Sequence, residues 1–232
     1  MKKIKVIPKE IINKWYAEEY SKIQNSSVYG KPEKHILHFI NLVQKYKLKK
    51  VLELGSGDGR NLIELAKRGL NVTGIDLFGG EAFKSTAKNL GLEVNFIKED
   101  ITKYNFANEK YDVIICSEVL HLIERKYLDN ILNKIKTATR DNGLIYINIL
   151  TNIKRFFLRT KEEFKYKNQP DYSSEEIKEI LFSKFNDWKI IEEGIYHEEQ
   201  NWPIKSGIYP IDPYHWGGDY VFIMAKKEKI NF

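Results

Sequence analysis

Val51-Leu-Glu-Leu-Gly-Ser-Gly-Asp-Gly-Arg-Asn61 decides the fold. An apolar tetrad, Val51–Leu54, runs into a loop with glycines at 55, 57 and 59. The loop runs into a segment that puts Leu62, Leu65 and Ala66 on one helical face, with Gly69 as its stop. Strand, glycine turn and helix form the opening unit of a parallel α/β sheet. The same alternation continues downstream. Asn71–Asp76 predicts a second strand, Glu81–Leu90 a helix and Val94–Lys98 a third strand. Tyr111–Cys116 is a continuous apolar run, as expected of a strand covered on both faces. Leu128, Ile131, Leu132 and Ile135 mark another helix, and the turn signal Asp141-Asn-Gly143 leads into a strand at Leu144–Leu150. The expected class is a doubly wound, mostly parallel α/β sheet.

Outward from this core the pattern changes. The first ~50 residues read as helices, with Ile36, Phe39, Ile40 and Val43 at helical spacing. Residues 151–172, rich in Lys, Arg, Phe and Tyr, read as an insertion. Ser173-Ser-Glu-Glu176 is a capping box that starts a helix reaching about Phe185. Trp188–Ile195 and Tyr220–Ala225 read as strands, an antiparallel pair closing the sheet edge. Between them lies an aromatic stretch, Asn201–Trp216, containing Trp202, Tyr209, Tyr214, His215 and Trp216, which reads as a substrate lid or as a long connection shielding the edge. Gly217-Gly218 then reads as the bend into the last strand. One domain is expected over 1–232: a helical arm (1–47), a ligand-binding core (48–150) and a segment with insertion, helix, closing strands and lid (151–232).

Composition excludes several classes. With 42% hydrophobic and 30% charged residues the chain reads as globular and water-soluble. No apolar run approaches the ~18 residues of a membrane span, and no secretory leader is visible. The single cysteine, Cys116, permits no internal disulfide and reads as a buried strand residue. A cytoplasmic protein with no membrane partner is expected. No feature specifies an oligomeric state. The net charge of +6 is unevenly placed: residues 1–50 hold twelve lysines against four acids. A lysine-rich arm is one route to nucleic acid, but no arginine precedes Arg60, and a solvated helix face explains the charge as well.

The glycine loop permits close approach of a ligand to the end of the first strand. Asp76 ends the next strand about 20 residues beyond the first glycine, where a carboxylate accepts bonds from ribose hydroxyls. Together they select an adenosine-type ligand. A dinucleotide fingerprint wants glycine at position 60, which is Arg60 here. Glu53 and Asp58 are awkward beside a pyrophosphate and suit a ligand with an ammonium, a sulfonium and no phosphate. No Lys-Ser/Thr pair follows the loop, which excludes a phosphate-cradling nucleotidase.

Glu53-Leu-Gly-Ser-Gly-Asp-Gly59 resembles the first motif of the class I S-adenosylmethionine-dependent methyltransferases, and Gly74-Ile-Asp76 resembles their second. Lys98-Glu-Asp-Ile101 resembles their adenine-binding motif, which implies that Asp100 takes the exocyclic amine and the backbone amide of Ile101 meets the ring. Tyr111–Cys116 matches their fourth strand, and Ser117–Ile123 the stretch beneath the methyl group. The resemblance covers about residues 48–150 and implies a Rossmann-like fold, S-adenosylmethionine as methyl donor, and a cofactor site that includes Glu53, Gly55, Ser56, Gly57, Asp76, Leu77, Asp100, Ile101 and Ser117. Gly59-Arg-Asn61, Trp15-Tyr16 and Tyr29-Gly-Lys-Pro32 resemble the tellurite-resistance and thiopurine methyltransferase branch. That implies Trp15 and Tyr29 line the site and Lys31 meets the cofactor carboxylate; Trp15, Tyr16 and Tyr20 read equally as core residues of an amphipathic helix.

Methyl transfer is an in-line displacement, so alignment and water exclusion carry most of the catalysis. His121, following the fourth strand, is the candidate base where the acceptor needs one, or else a satisfied helix histidine. His197 and His215, with Glu198 and Glu199, fit no metal motif. A small-molecule acceptor is the leading reading. The alternatives are an RNA or protein methyltransferase using the lysine-rich arm, and a non-catalytic S-adenosylmethionine-binding partner. Against the nucleic-acid reading, Cys116-Ser-Glu-Val119 lacks the Pro-Pro-aromatic motif of amino-methylating enzymes.

Overall fold

Alternate side chains of Tyr111–Cys116 point to opposite faces, and they divide the core in two. In the computed structural model, which describes residues 4–21, 27, 30–202 and 212–228, this run is a strand buried on both sides. Ile114 and Cys116 join one cluster, Val113 and Ile115 the other. That is the period-2 geometry of a sheet with helices on both faces.

The chain runs β1 (Lys5–Ile7), α1 (Lys9–Ser21), α2 (Lys34–Lys45), β2 (Lys50–Leu54), α3 (Arg60–Lys67), β3 (Asn71–Asp76), α4 (Gly80–Asn89), β4 (Asn95–Lys98), β5 (Tyr111–Cys116), α5 (Leu128–Ala138), β6 (Thr139–Phe157), β7 (Phe164–Tyr166), α6 (Ser174–Lys184), β8 (Lys189–Trp202) and β9 (Tyr214–Lys226). Seven strands form one sheet in the order β4-β3-β2-β5-β6-β9-β8. The first five are parallel, and β9 runs antiparallel to both β6 and β8. Helices α5 and α6 cover one face through Ile131, Leu132, Ile135, Ile177 and Leu181. Helices α2, α3 and α4 cover the other through Phe39, Ile40, Leu62, Leu65 and Phe83. The class expected from the sequence, doubly wound and mostly parallel with an antiparallel C-terminal edge, is the observed one. The chain leaves β2 toward β3 on one side and returns through β5 on the other. That topological switch opens a crevice at the carboxyl ends of β2 and β5, where open α/β sheets bind ligands.

The flanks differ from the sequence reading in four places. The N-terminal segment is not all helical: β1 pairs in parallel with β7, Lys5 opposite Phe164 and Ile7 opposite Tyr166. A three-residue strand whose partner lies so far along the chain leaves no periodicity to read. The Asp141-Asn-Gly143 signal does bend the backbone, with Asn142 at φ 65°, but the bend falls within β6 as a shift in register against β5. The supposed insertion begins as strand: β6 continues to Phe157, paired with β9 out to Tyr214. Gly217 and Gly218 lie inside β9, opposite Glu199 and Glu198, and do not form a turn. A Cβ at Gly218 would meet the Thr151 carbonyl oxygen at 2.7 Å, so the glycine lets two strands close together. The capping box behaves as expected at its first half: the Ser173 hydroxyl accepts from the Glu176 N–H at 3.1 Å.

A third apolar cluster sits beyond the sheet. Ile7, Ile12, Phe157, Phe164, Tyr166 and Tyr214 pack together, with Tyr16, Trp202 and Trp216 against them. They come from β1, α1, β7 and the far ends of β6, β8 and β9. This cluster caps the carboxyl-end crevice.

Candidate functional site

The crevice and its cap line a partly open cavity of about 920 Å³, at the upper end of the range for small-molecule sites. Twelve of the thirteen residues singled out from the sequence line it: Trp15, Lys31, Glu53, Gly55, Ser56, Gly57, Asp76, Leu77, Asp100, Ile101, Ser117 and His121. The other, Tyr29, lies outside the described residues, as does Tyr209 of the aromatic stretch. Trp202, Tyr214 and Trp216 of that stretch also line the cavity, from the ends of β8 and β9.

Backbone geometry shapes the loop after β2. Gly57 has φ +53°, and a Cβ there would stand 2.6 Å from the Tyr20 hydroxyl. The turn after β3 leans against it: Gly79 has φ +54°, and its Cβ would stand 2.0 Å from the Gly57 carbonyl oxygen. Both positions demand glycine, for conformation and for room. Asp76 ties the two turns together. One carboxylate oxygen accepts from the Gly57 N–H at 2.9 Å, the other from the Phe78 N–H at 2.8 Å. Each oxygen keeps a lone pair for a further donor. Burial lifts the Asp76 pKa above its ordinary value, opposed by these backbone donors.

Glu53 sits where strand alternation calls for an apolar residue, on the face of β2 that carries Val51 and packs under α3. It is 2% exposed. The Asn61 amide donates to one of its oxygens at 2.6 Å, while the other oxygen is buried with no partner. Burial pushes its pKa up to about 8. Ser56 and Ser117 also present buried hydroxyls without partners. Such groups are costly unless something bonds to them. Two hydroxyls and one carboxyl oxygen, buried without partners among the described residues in side chains that line a cavity, fit a ligand that brings polar groups, including a cation.

Asp100 uses one oxygen locally, accepting from the Thr102 N–H at 2.9 Å and the Thr102 hydroxyl at 2.7 Å. Its second oxygen is left to the cavity. Arg60, standing where a dinucleotide loop has glycine, pairs with Glu118 at 2.8 Å and lies 3.8 Å from Glu33. This cation is engaged with carboxylates and so is a poor phosphate ligand. Glu118 itself has φ +59°, a left-handed conformation costly for this residue.

His121 is 6% exposed, and its Nδ1 has no partner. Burial, with Arg155 adding to it, pushes its pKa down to about 3, so the ring is neutral at pH 7. Cys116 is fully buried, and burial raises its thiol pKa far out of the reactive range. His197 pairs with Asp219 at 2.7 Å, and His215 lies 3.7 Å from Glu199. Among the described residues no three His, Cys, Asp or Glu side chains are grouped to hold a metal. No helix among them is long and apolar enough to cross a membrane.

Sequence reasoning missed Asn61, Arg155 and Gln169 in the cavity wall. Asn61 had a signal: it lies eight residues after Glu53, one strand-turn-helix apart. Arg155 and Gln169 had none, since they fell in the stretch read as an insertion.

Residues 51–143 match a family model described as a methyltransferase domain. The chain is 27% identical over 225 residues to the ubiquinone biosynthesis O-methyltransferase of Rickettsia canadensis, an alignment covering 85% of this chain and 93% of that one. Among solved structures, TehB from Haemophilus influenzae superposes with a TM-score of 0.60 at 19% identity, over 85% of this chain and 63% of that one. Magnesium protoporphyrin IX methyltransferase from Synechocystis, solved with S-adenosylhomocysteine bound, gives a TM-score of 0.60 at 15% identity, over 95% and 100%. At these identities the structural likenesses concern the fold.

Proposed function

We propose that the chain is a class I S-adenosylmethionine-dependent methyltransferase whose acceptor is a small molecule held in the capped cavity. The observation that carries this reading is the cap itself. The cap of α1, β7 and the β8 and β9 tips stands over the same cavity as the glycine loop. A capped, concave site limits the access of water and suits a compact acceptor, whereas a polymer needs a broader approach.

When bound, S-adenosylmethionine supplies a methyl group already activated by a sulfonium. The chain's own residues then hold, align and shield. The Gly55–Gly57 loop lets the backbone approach the ligand, and Asp76 accepts from ribose hydroxyls with its remaining lone pairs. The free oxygen of Asp100 takes the adenine amine, beside the Ile101 amide. The open oxygen of Glu53 faces the ammonium, with the Ser56 and Ser117 hydroxyls as further partners. Leu77 and Trp15 give apolar walls, and Lys31 reaches the cofactor carboxylate. At the acceptor, His121 offers a neutral Nδ1 as hydrogen-bond acceptor. That orients an O–H or N–H nucleophile; only the strongly acidic oxonium left by an O–H acceptor would pass its proton to so weakly basic a ring, while a soft anionic nucleophile needs only alignment.

The test is transfer of a radiolabelled methyl from S-adenosylmethionine to a pooled small-molecule extract, to bulk RNA and to protein. Label recovered in the small-molecule fraction is the expected result. Label confined to RNA or protein would overturn the acceptor class, and failure to bind S-adenosylhomocysteine in a calorimetric titration would overturn the donor site.

A further inference from the structure

Arg155 is a buried cation with no carboxylate paired to it among the described residues. It lies near the end of β6, 7% exposed, within the cavity wall. Its guanidinium stacks on Tyr166 with 4.2 Å to the ring centroid and donates to the Gln169 side-chain oxygen at 2.8 Å. Among the described residues no Asp or Glu forms an ion pair with it. The remaining guanidinium donors outnumber the single bond to Gln169. A buried charge with no counter-charge is strongly disfavoured. Arg rather than Lys also suits a planar, bidentate partner.

Gln169 links this cation to the candidate acceptor position. Its amide NH₂ donates to the His121 backbone carbonyl at 3.0 Å while its oxygen holds Arg155. His121 contributes the second unpartnered group, its buried Nδ1. Around them stand the rings of Tyr166, Tyr214, Trp202 and Trp216, all in the same cavity wall. Glu53, Asp76 and Asp100 come instead from β2, β3 and the segment after β4; the cavity wall also carries Glu19 of α1 and Glu198 of β8, neither of them ion-paired with Arg155.

We infer that the methyl acceptor is a planar ring compound bearing a carboxylate, which docks on Arg155 and Gln169 and sets its nucleophilic atom beside His121. This rests on the methyltransferase reading of the cavity and names the acceptor's chemical class. The carboxylate supplies the missing counter-charge, and the rings receive the planar body. Arg155 thus selects for an anion, while Glu53 on the glycine-loop side selects for a cation.

Benzoate and its neutral isostere benzamide serve as probes, titrated by tryptophan fluorescence with saturating S-adenosylhomocysteine. Benzoate is expected to bind about tenfold tighter or more, the factor for one charge-assisted pair. In Arg155→Met the preference should collapse to within about twofold, with S-adenosylhomocysteine affinity kept. A ratio near one in the parent protein overturns the inference, and so does a preference that survives in Arg155→Met. If that variant does not fold, the parent ratio and Gln169→Leu decide, the latter expected to lower the ratio. If S-adenosylhomocysteine does not bind, the methyl-donor reading fails separately, and the benzoate preference, measured alone, still judges the anion site.

Discussion

Asp76→Asn changes one oxygen to an amide NH₂ and leaves the shape of the side chain intact. In the parent, both carboxylate oxygens accept backbone N–H groups, from Gly57 and from Phe78. Whichever way the new amide turns, its NH₂ meets one of those N–H donors. A donor left without an acceptor costs about 1–3 kcal/mol, which in a chain of this size lowers Tm by about 2–12 °C. Ligand binding loses separately. Bonds from two ribose hydroxyls to a charged acceptor become bonds to a neutral one, a loss of about 1–1.5 kcal/mol each, or about 30–150-fold in Kd. Calorimetric titration with S-adenosylhomocysteine measures the second effect, and a thermal melt of the free protein measures the first. A folded variant whose Kd stays within about twofold of the parent refutes the ribose role. A lowered Tm with that unaltered Kd would confine Asp76 to bracing the two turns.

Two further predictions concern the same loop. Glu53 titrates near 4.5 in an unfolded chain and near 8 when buried in the fold, so its contribution to stability is complete below pH 4.5 and drains away as pH rises through 8. A cation placed against it favours the ionised form; S-adenosylmethionine binding at pH 7 should therefore release up to about one proton, seen by titration in buffers of different ionisation enthalpy, and Kd should tighten between pH 6.5 and 8.5. A Kd independent of pH, with no proton released, would rule out the Glu53–ammonium contact. Gly79→Ala forces a Cβ within 2.0 Å of the Gly57 carbonyl oxygen at φ +54°; the backbone cost alone is about 1–2 kcal/mol, so Tm should fall by at least about 3 °C and cofactor affinity with it, and a variant matching the parent in both would show that the two turns do not brace each other.

The core and the cofactor half of the site were legible because their signals are local. Strands Asn71–Asp76 and Tyr111–Cys116 end where the apolar pattern ends. The glycine loop, Asp76 and Asp100 each follow a strand at short range. The cap side of the cavity was not legible, because it is built from long-range pairings. Lys5–Ile7 forms a strand only against Phe164–Tyr166, and three residues carry no period. Lys154-Arg-Phe-Phe157 continues β6, but a cation at an inward strand position runs against the usual pattern of exposed charge. Glu53 is the same exception in β2. In both places a polar side chain occupies an apolar slot, and in both it faces the cavity.

The position of β9 has a consequence for the order of assembly. It lies between β6 and β8, hydrogen-bonded to both, yet residues 214–226 follow every other strand in the sequence. During synthesis β6 and β8 therefore exist before the strand that joins them. Until it arrives each has an open edge, and β6 carries a long apolar one that invites pairing with another chain. Closure depends on threading the last strand into a gap, a non-local step that is slow by comparison with helix formation. Because Tyr214 and Trp216 travel on that strand, the aromatic wall of the cavity is completed in the same event that seals the sheet. A nascent chain can thus hold its glycine loop well before the cavity over it is closed.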